Sequence, residues 1–293
     1  MMEDFPASPF FPEQGWRDNL PCILIFASCH GRTLLDYFSM QPAFRSKYNI
    51  MRLETGPIRI REHRGADMMN RPAMKLAFKS ADILLTNNMG PRHLSHSLNR
   101  VIPMLRSDCR IITWTAPNFS AFWPISEGYC GAIAVLEALD RGKSVNQICQ
   151  DFEQAQFDPL FNLRWRIEMG RISDRDNTHD VKLGDFIQRN FRTHKLFMGA
   201  SHPSFLPMAH MGAQIIRMLG HECDSEEQVL AYDYNIGTMA GEPETGYEFK
   251  HYGFTYPMRH LTTSVGGLER YIGMIHSAAQ FWTTGGYCTI PPD

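Results

Sequence analysis

From Cys22 to Trp114 the chain alternates short, unbroken apolar runs with stretches of helical spacing. Cys22-Ile-Leu-Ile-Phe-Ala27 is a run of the kind that fills a strand buried on both faces. It breaks at the polar turn Ser28-Cys29-His30-Gly31, after which Thr33–Phe38 is spaced as a helix. A second strand is predicted at Asn49–Glu54. A helix is predicted over Arg71–Lys79, with Pro72 in its first turn, where a missing N–H costs nothing. Ile83–Thr86 is a third strand, ending at Asn87-Asn88-Met89-Gly90-Pro91. Leucines at 94, 98 and 105 mark a helix over His93–Leu105, and Arg110–Trp114 is a fourth strand. Strands that alternate with helices in this way predict a parallel sheet in an α/β fold.

Beyond Trp114 the pattern turns helical. Tyr129–Leu139 carries apolar residues at 129, 133, 136 and 139. Ser144 and Gln147 have capping-box spacing at the head of a helix through Phe152. Asp158–Met169 and Asp180–Phe191 are further predicted helices. Lys195–Met198 is a last short strand, leading into Gly199-Ala-Ser-His202-Pro203-Ser204. Pro207 opens a helix that stops at Gly220. Residues 222–293 are rich in Gly, Tyr, His and Thr, and only Leu268–Phe281 there has convincing helical spacing. The division expected is an irregular arm at 1–20, an α/β domain at 21–221, and an extension at 222–293 laid over it as loops.

Composition narrows the picture without changing it. The 293 residues are 43% hydrophobic and 20% charged, which excludes disordered, collagenous and coiled-coil chains. With 29 basic and 31 acidic residues the formal charge is -2, so no chain-wide basic field awaits nucleic acid. No apolar run reaches the roughly 18 residues of a membrane span. Residues 1–15 lack the basic head and apolar body of a signal peptide. Seven cysteines, an odd number with no CxxC pair, suggest reduced thiols in a cytoplasmic protein. Signatures of dinucleotide, NTP, kinase and HExxH metal chemistry are missing.

Four places can carry chemistry. Cys29 sits between a strand and a helix, which puts it at the carboxyl edge of the sheet, where open α/β folds bind ligands. A helix start beside the sulfur favours the thiolate, and His30 and Arg32 add positive charge. The competing reading is a thiol that only packs. His202, after a short strand and before a helix, is placed to serve as the base a nucleophile needs, or as a structural histidine. Asn87 and Asn88 follow the third strand and can donate to a developing oxyanion, where one lost donor costs roughly 3 kcal/mol; the alternative is an ordinary turn. Arg59, Arg61 and Arg64, with His63, form a basic run, and Arg92 and His93 lie at a predicted helix start; either group can hold phosphates or simply face solvent. His93 and His96 lack a third ligand at metal spacing, so no metal is expected. Trp114, Phe119, Phe122 and Trp123 can stack on a sugar or adenine or fill a core.

The nucleophile after the first strand and the late base before the last helix resemble the SGNH (GDSL-type) hydrolases, although Cys29 stands in place of Ser and Gly199 in place of Asp. A broader resemblance covers roughly residues 20–220. It rests on Ile-Phe-Ala-Ser-Cys29-His30-Gly31, Ala81-Asp82-Ile-Leu-Leu, Gly128-Tyr129-Cys130, Arg141-Gly-Lys-Ser144, Asp180-Val-Lys-Leu-Gly-Asp-Phe-Ile187 and Leu196-Phe-Met-Gly-Ala-Ser-His202-Pro203-Ser204. In these the chain is similar to the polysaccharide-biosynthesis (WcbI-type) acetyltransferase family, which more often has Gly-Asn-Cys-Gln at the first motif. The resemblance implies a small parallel sheet surrounded by many helices, with an SGNH- or flavodoxin-like core. It implies coenzyme A as acyl carrier and a sugar of a capsular or surface polysaccharide as acceptor. Cys29 and His202 would then work with Asn87 and Asn88, while His30, Gly31, Arg32, Arg59, Arg61 and Arg92 would face coenzyme A. An SGNH-type esterase or thioesterase, and a carbohydrate-binding protein without turnover, remain as alternatives.

Overall fold

The computed structural model describes residues 16–56, 58, 69–87, 97–123, 137–153, 161–200, 202–237 and 246–257. Strands β1 (Cys22–Ala27), β2 (Asn49–Glu54), β3 (Ile83–Thr86) and β4 (Arg110–Thr113) form a wholly parallel sheet in the order β2-β1-β3-β4. Every residue of β1 and β3 is buried, as continuous apolar runs require, while the edge strand β2 alternates between buried and half-buried positions. Cys22, Leu24 and Phe26 point to the same core as Met51, Leu53 and Leu84, joined there by Met74 and Phe78. On the opposite face, a Cβ added to Gly31 would lie 3.1 Å from both Ala27 Cβ and Ile25 Cγ2.

The helices are α1 (His30–Ser39), α2 (Pro72–Lys79), α3 (Val145–Glu153), α4 (Phe161–Asp176), α5 (Gly184–Asn190), α6 (Phe205–Met218), α7 (Glu226–Leu230) and α8 (Gly246–Tyr252). Single helical turns lie at Pro42–Arg45 and Leu98–Val101. The predicted box at α3 is formed, with Ser144 N donating to Gln147 Oε1 at 2.8 Å and Gln147 N to Ser144 Oγ at 3.3 Å. Gly220 follows α6 at φ 82°, the left-handed conformation of a helix stop.

The fold class is as expected, and the differences have local causes. α1 starts three residues earlier than its apolar spacing, directly at the end of β1. Within 97–105 the expected helix is one turn followed by a 3-10 turn at Ile102–Met104, because Pro103 has no N–H to extend an α-helix. The helix expected from Asp180 begins only at Gly184. Its first residues are drawn to the sheet edge, where Val181 bridges Trp114 in parallel and the Asp180 carboxylate accepts from Thr113 N and Oγ1 at 2.8 and 2.9 Å. The last strand is β5 (Phe197–Gly199), paired antiparallel to a short β6 (His202–Pro203). The extension read as loops contains α7, with a capping box of Ser225 and Gln228, and α8. The predicted helix over 268–281, and most of that over 129–139, lie outside the described residues.

The chain divides into two compact units. One comprises residues 1–117, 172–188 and 204–238 and contains the sheet, α1, α2, α6 and α7. Here α6 packs on α1, and Asp224 Oδ2 accepts from Tyr37 Oη (3.0 Å), Gln41 Nε2 (2.7 Å) and Tyr232 Oη (2.8 Å). The other comprises 118–171, 189–203 and 239–293 and contains α3, β5, β6 and α8. Its core is aromatic: Phe119, Phe122, Trp165, Phe191, Phe197 and Tyr252 form successive ring contacts. Phe119, Phe122 and Trp123 are thus core residues, and so is Trp114 in the sheet-bearing unit.

Candidate functional site

The strand order places a topological switch point between β1 and β3, since the chain leaves β1 toward β2 on one side and returns as β3 on the other. Loops diverge at the carboxyl ends of such a strand pair and open a crevice where α/β proteins bind ligands. Two of the predicted residues in the sheet-bearing unit sit there. Cys29 follows β1, and Asn87 directly follows β3, whose Thr86 is in register with Phe26.

Cys29 has helical dihedrals, φ -50° and ψ -30°, and forms the cap position of α1 without a side-chain capping hydrogen bond. Gly31 N donates to Ser28 O at 3.0 Å and Arg32 N to Cys29 O at 2.9 Å, so the first turn is tight. The thiol is half-buried and unbridged. The contrast with Cys22 at the amino end of the same strand is chemical: burial, then the Asp82 carboxylate and Cys109, pushes the Cys22 thiol up to about 12. Cys109 is also raised, mainly by burial. Neither is suited to form a thiolate nucleophile, and both lie at the wrong end of the sheet.

The neighbours of Cys29 divide by position. His30 is 7% exposed, and its Nδ1 is 3.2 Å from Ser28 Oγ. Gly31 is buried against β1, where it lets α1 approach the sheet. Arg32 points to solvent one turn before Asp36, whose carboxyl is raised by burial against the opposing charges of Arg32 and Arg52. Asn87 is 8% exposed, and its Oδ1 has no hydrogen-bond partner among the described residues. Asn88, Arg59, Arg61, Arg64, Arg92, His63, His93 and His96 lie outside those residues. Among the described residues no group of three or more His, Cys, Asp or Glu forms a metal site.

His202 belongs to the other unit, on β6 beside Gly199. It is half-buried, and its burial alone lowers the imidazole below the usual histidine range, which keeps it neutral near pH 7. Its ring takes no side-chain hydrogen bond among the described residues, so no carboxylate orients it there. Ser204, two residues on in the sequence, is spent as the cap of α6, accepting from Leu206 N at 3.3 Å.

Sequence reasoning passed over Arg52 and Glu54, an ion pair at 3.0 Å at the carboxyl end of β2. Their signal was weak, two charges in an alternating edge strand. No helix among the described residues is long and apolar enough to cross a membrane.

No curated protein matches the sequence significantly. Among solved structures, the fold is similar to that of WcbI, described as a novel polysaccharide biosynthesis enzyme, in its native form without a disulfide bond between coenzyme A and one of its cysteines. The two share 13% identity and superpose with a TM-score of 0.65 over 91% of each chain, a likeness of fold. A family model, described as polysaccharide biosynthesis enzyme WcbI, matches residues 22–224, from the first residue of β1 to the carboxylate that ties the extension to α1. By that match the chain belongs to the WcbI family of polysaccharide biosynthesis enzymes.

Proposed function

We propose that the protein is an acyl-CoA-dependent O-acyltransferase that acylates a sugar hydroxyl during synthesis of a capsular or surface polysaccharide. The observation that carries this reading is the half-buried Cys29 thiol at the start of α1, at the switch point of the sheet, with Asn87, whose Oδ1 has no partner among the described residues, after the adjoining strand. Coenzyme A named with a cysteine in the WcbI structure supports it. So does the free state of the described cysteines, which suits a cytoplasmic enzyme.

The residues have separate tasks. His202, kept neutral by burial, takes the proton of the attacking hydroxyl. The sugar oxygen then bonds to the acyl carbon as the bond to sulfur breaks, and coenzyme A leaves as the thiol after reprotonation. If Cys29 first receives the acyl group, the same events occur twice, with the Cys29 thiolate as the first nucleophile. Asn87 and Asn88 donate to the oxyanion. Arg32, Arg59, Arg61 and Arg92 hold the coenzyme phosphates, and His30 and Gly31 shape the turn beside them.

Release of free coenzyme A from acetyl-CoA, followed over a panel of sugars, tests the reading. Acceptor-dependent release is expected, with a loss of 100-fold or more in Cys29→Ala and His202→Ala. Equal turnover in both variants removes the assignment of these residues. Rapid hydrolysis of simple esters with no effect of coenzyme A points instead to an SGNH-type esterase.

A further inference from the structure

Two residues in neighbouring register positions each carry a buried polar atom without a partner among the described residues. Asn87 Oδ1 and Trp114 Nε1 are each buried without a hydrogen-bond partner among the described residues. Asn87 is 8% exposed and Trp114 0%. Folded proteins leave few such atoms unpaired, and each calls for a cause.

Position supplies one. β3 and β4 pair Thr86 with Thr113, and Trp114 N continues the ladder by donating to Thr86 O at 3.0 Å. The next register partners are Asn87 and Trp114, which a parallel ladder turns to the same face. Register carries that face across to Ala27 on β1, which the start of α1 covers at Gly31. The two atoms therefore belong to the carboxyl edge of the sheet, and Asn87 stands one strand spacing, about 4.8 Å, from β1.

Their chemistry is complementary and unspent. An indole N–H only donates and an amide oxygen only accepts, and the two do not bond to each other. A hydroxyl answers both with one atom, accepting from the indole and donating to the amide. A phosphodiester or an ionised carboxylate has no hydrogen for Oδ1. We propose that Asn87 and Trp114 form the seat of the acceptor's hydroxyl, with Trp114 as a binding residue of the reaction. The proposal rests on the acyltransferase reading and adds the two residues that seat the acceptor's hydroxyl. Asn87 then orients both reactants, Oδ1 on the alcohol and Nδ2 on the acyl oxygen.

The test uses the full chain with coenzyme A and glycerol as the alcohol probe. In glycerol-soaked crystals an alcohol oxygen is expected within about 3 Å of both Trp114 Nε1 and Asn87 Oδ1. With acetyl-CoA as donor, Trp114→Phe, which keeps an aromatic ring and removes the N–H, should raise half-saturating glycerol about tenfold and leave coenzyme A affinity by calorimetry unchanged. A buried water or protein group that stays between the two atoms in glycerol overturns the seat, as does an unchanged glycerol dependence in the variant. Should Trp114→Phe not fold, the wild-type soak decides. Should the wild type release no coenzyme A from acetyl-CoA, the acyltransferase reading fails and the soak still decides the seat.

Discussion

At the residue scale, environment separates two cysteines of one strand-turn. Cys22 is sealed in the core, and at pH 8 its thiolate fraction is on the order of one in ten thousand, from a thiol raised to about 12. Cys29 is accessible at a helix start. Oxidised coenzyme A disulfide should therefore attach one coenzyme A to Cys29 by thiol–disulfide exchange, releasing one free coenzyme A thiol. Peptide mapping should find the adduct on Cys29 and none on Cys22, and Cys29→Ser should lose it. Labelling of Cys22 at a comparable rate would contradict the burial argument. The histidines add a pH signature. Burial lowers both His202 and His194 below the unfolded value of about 6.5. Below that value the unfolded chain binds protons that the folded imidazoles resist, so stability falls as pH drops from about 7 toward 5. Urea midpoints across that window should fall less steeply in His202→Gln; an equal slope would mean that His202 titrates alike in both states.

At the element scale, α6 can lie on α1 only because residue 212 is glycine. A Cβ there would fall inside contact distance of Tyr37 Cδ1 and within 2.7 Å of its Cε1. The ring cannot swing aside, because Tyr37 is fully buried and its hydroxyl is held by Asp224. Gly212→Ala should therefore destabilise by roughly 1–3 kcal/mol despite alanine's better helix propensity, read as a lower urea midpoint at unchanged slope. A stabilised variant would show that the helices can part freely. The same contact shows where sequence reading succeeds and fails. β1, β3 and the capping box of α3 were legible because each is written in adjacent residues: an apolar run, or a Ser–Gln spacing. The delayed start of α5 was not, because Asp180 and Val181 are claimed by Thr113 and Trp114, far away in sequence. At the site, Cys29 and Asn87 were legible as strand-end residues. That Asn87 and Trp114, whose Oδ1 and Nε1 have no partner among the described residues, stand opposite each other was not, since it depends on the register of β3 with β4.

At the scale of the whole molecule, the sheet-bearing unit is assembled from three separated stretches of chain, an organisation that no local pattern announces. Residues 1–117 carry the sheet with Cys29 and Asn87, yet α6 returns some ninety residues later to cover α1. From α6 come Phe205, Leu206, Met208, Met211 and Ile215, all at most 2% exposed. At roughly 1.5–3 kcal/mol for each fully buried side chain, these five account for on the order of 10 kcal/mol. That equals the whole net stability of a typical protein, about 5–15 kcal/mol. A chain ending at Pro203 keeps every strand and the motif around Cys29 but loses this layer and the Asp224 partner of Tyr37. It should show no cooperative urea transition by circular dichroism, whereas the full chain does. A cooperative transition with native-like slope in the shortened chain would mean that the sheet is stable without α6, and that the candidate site does not need the third stretch of the unit.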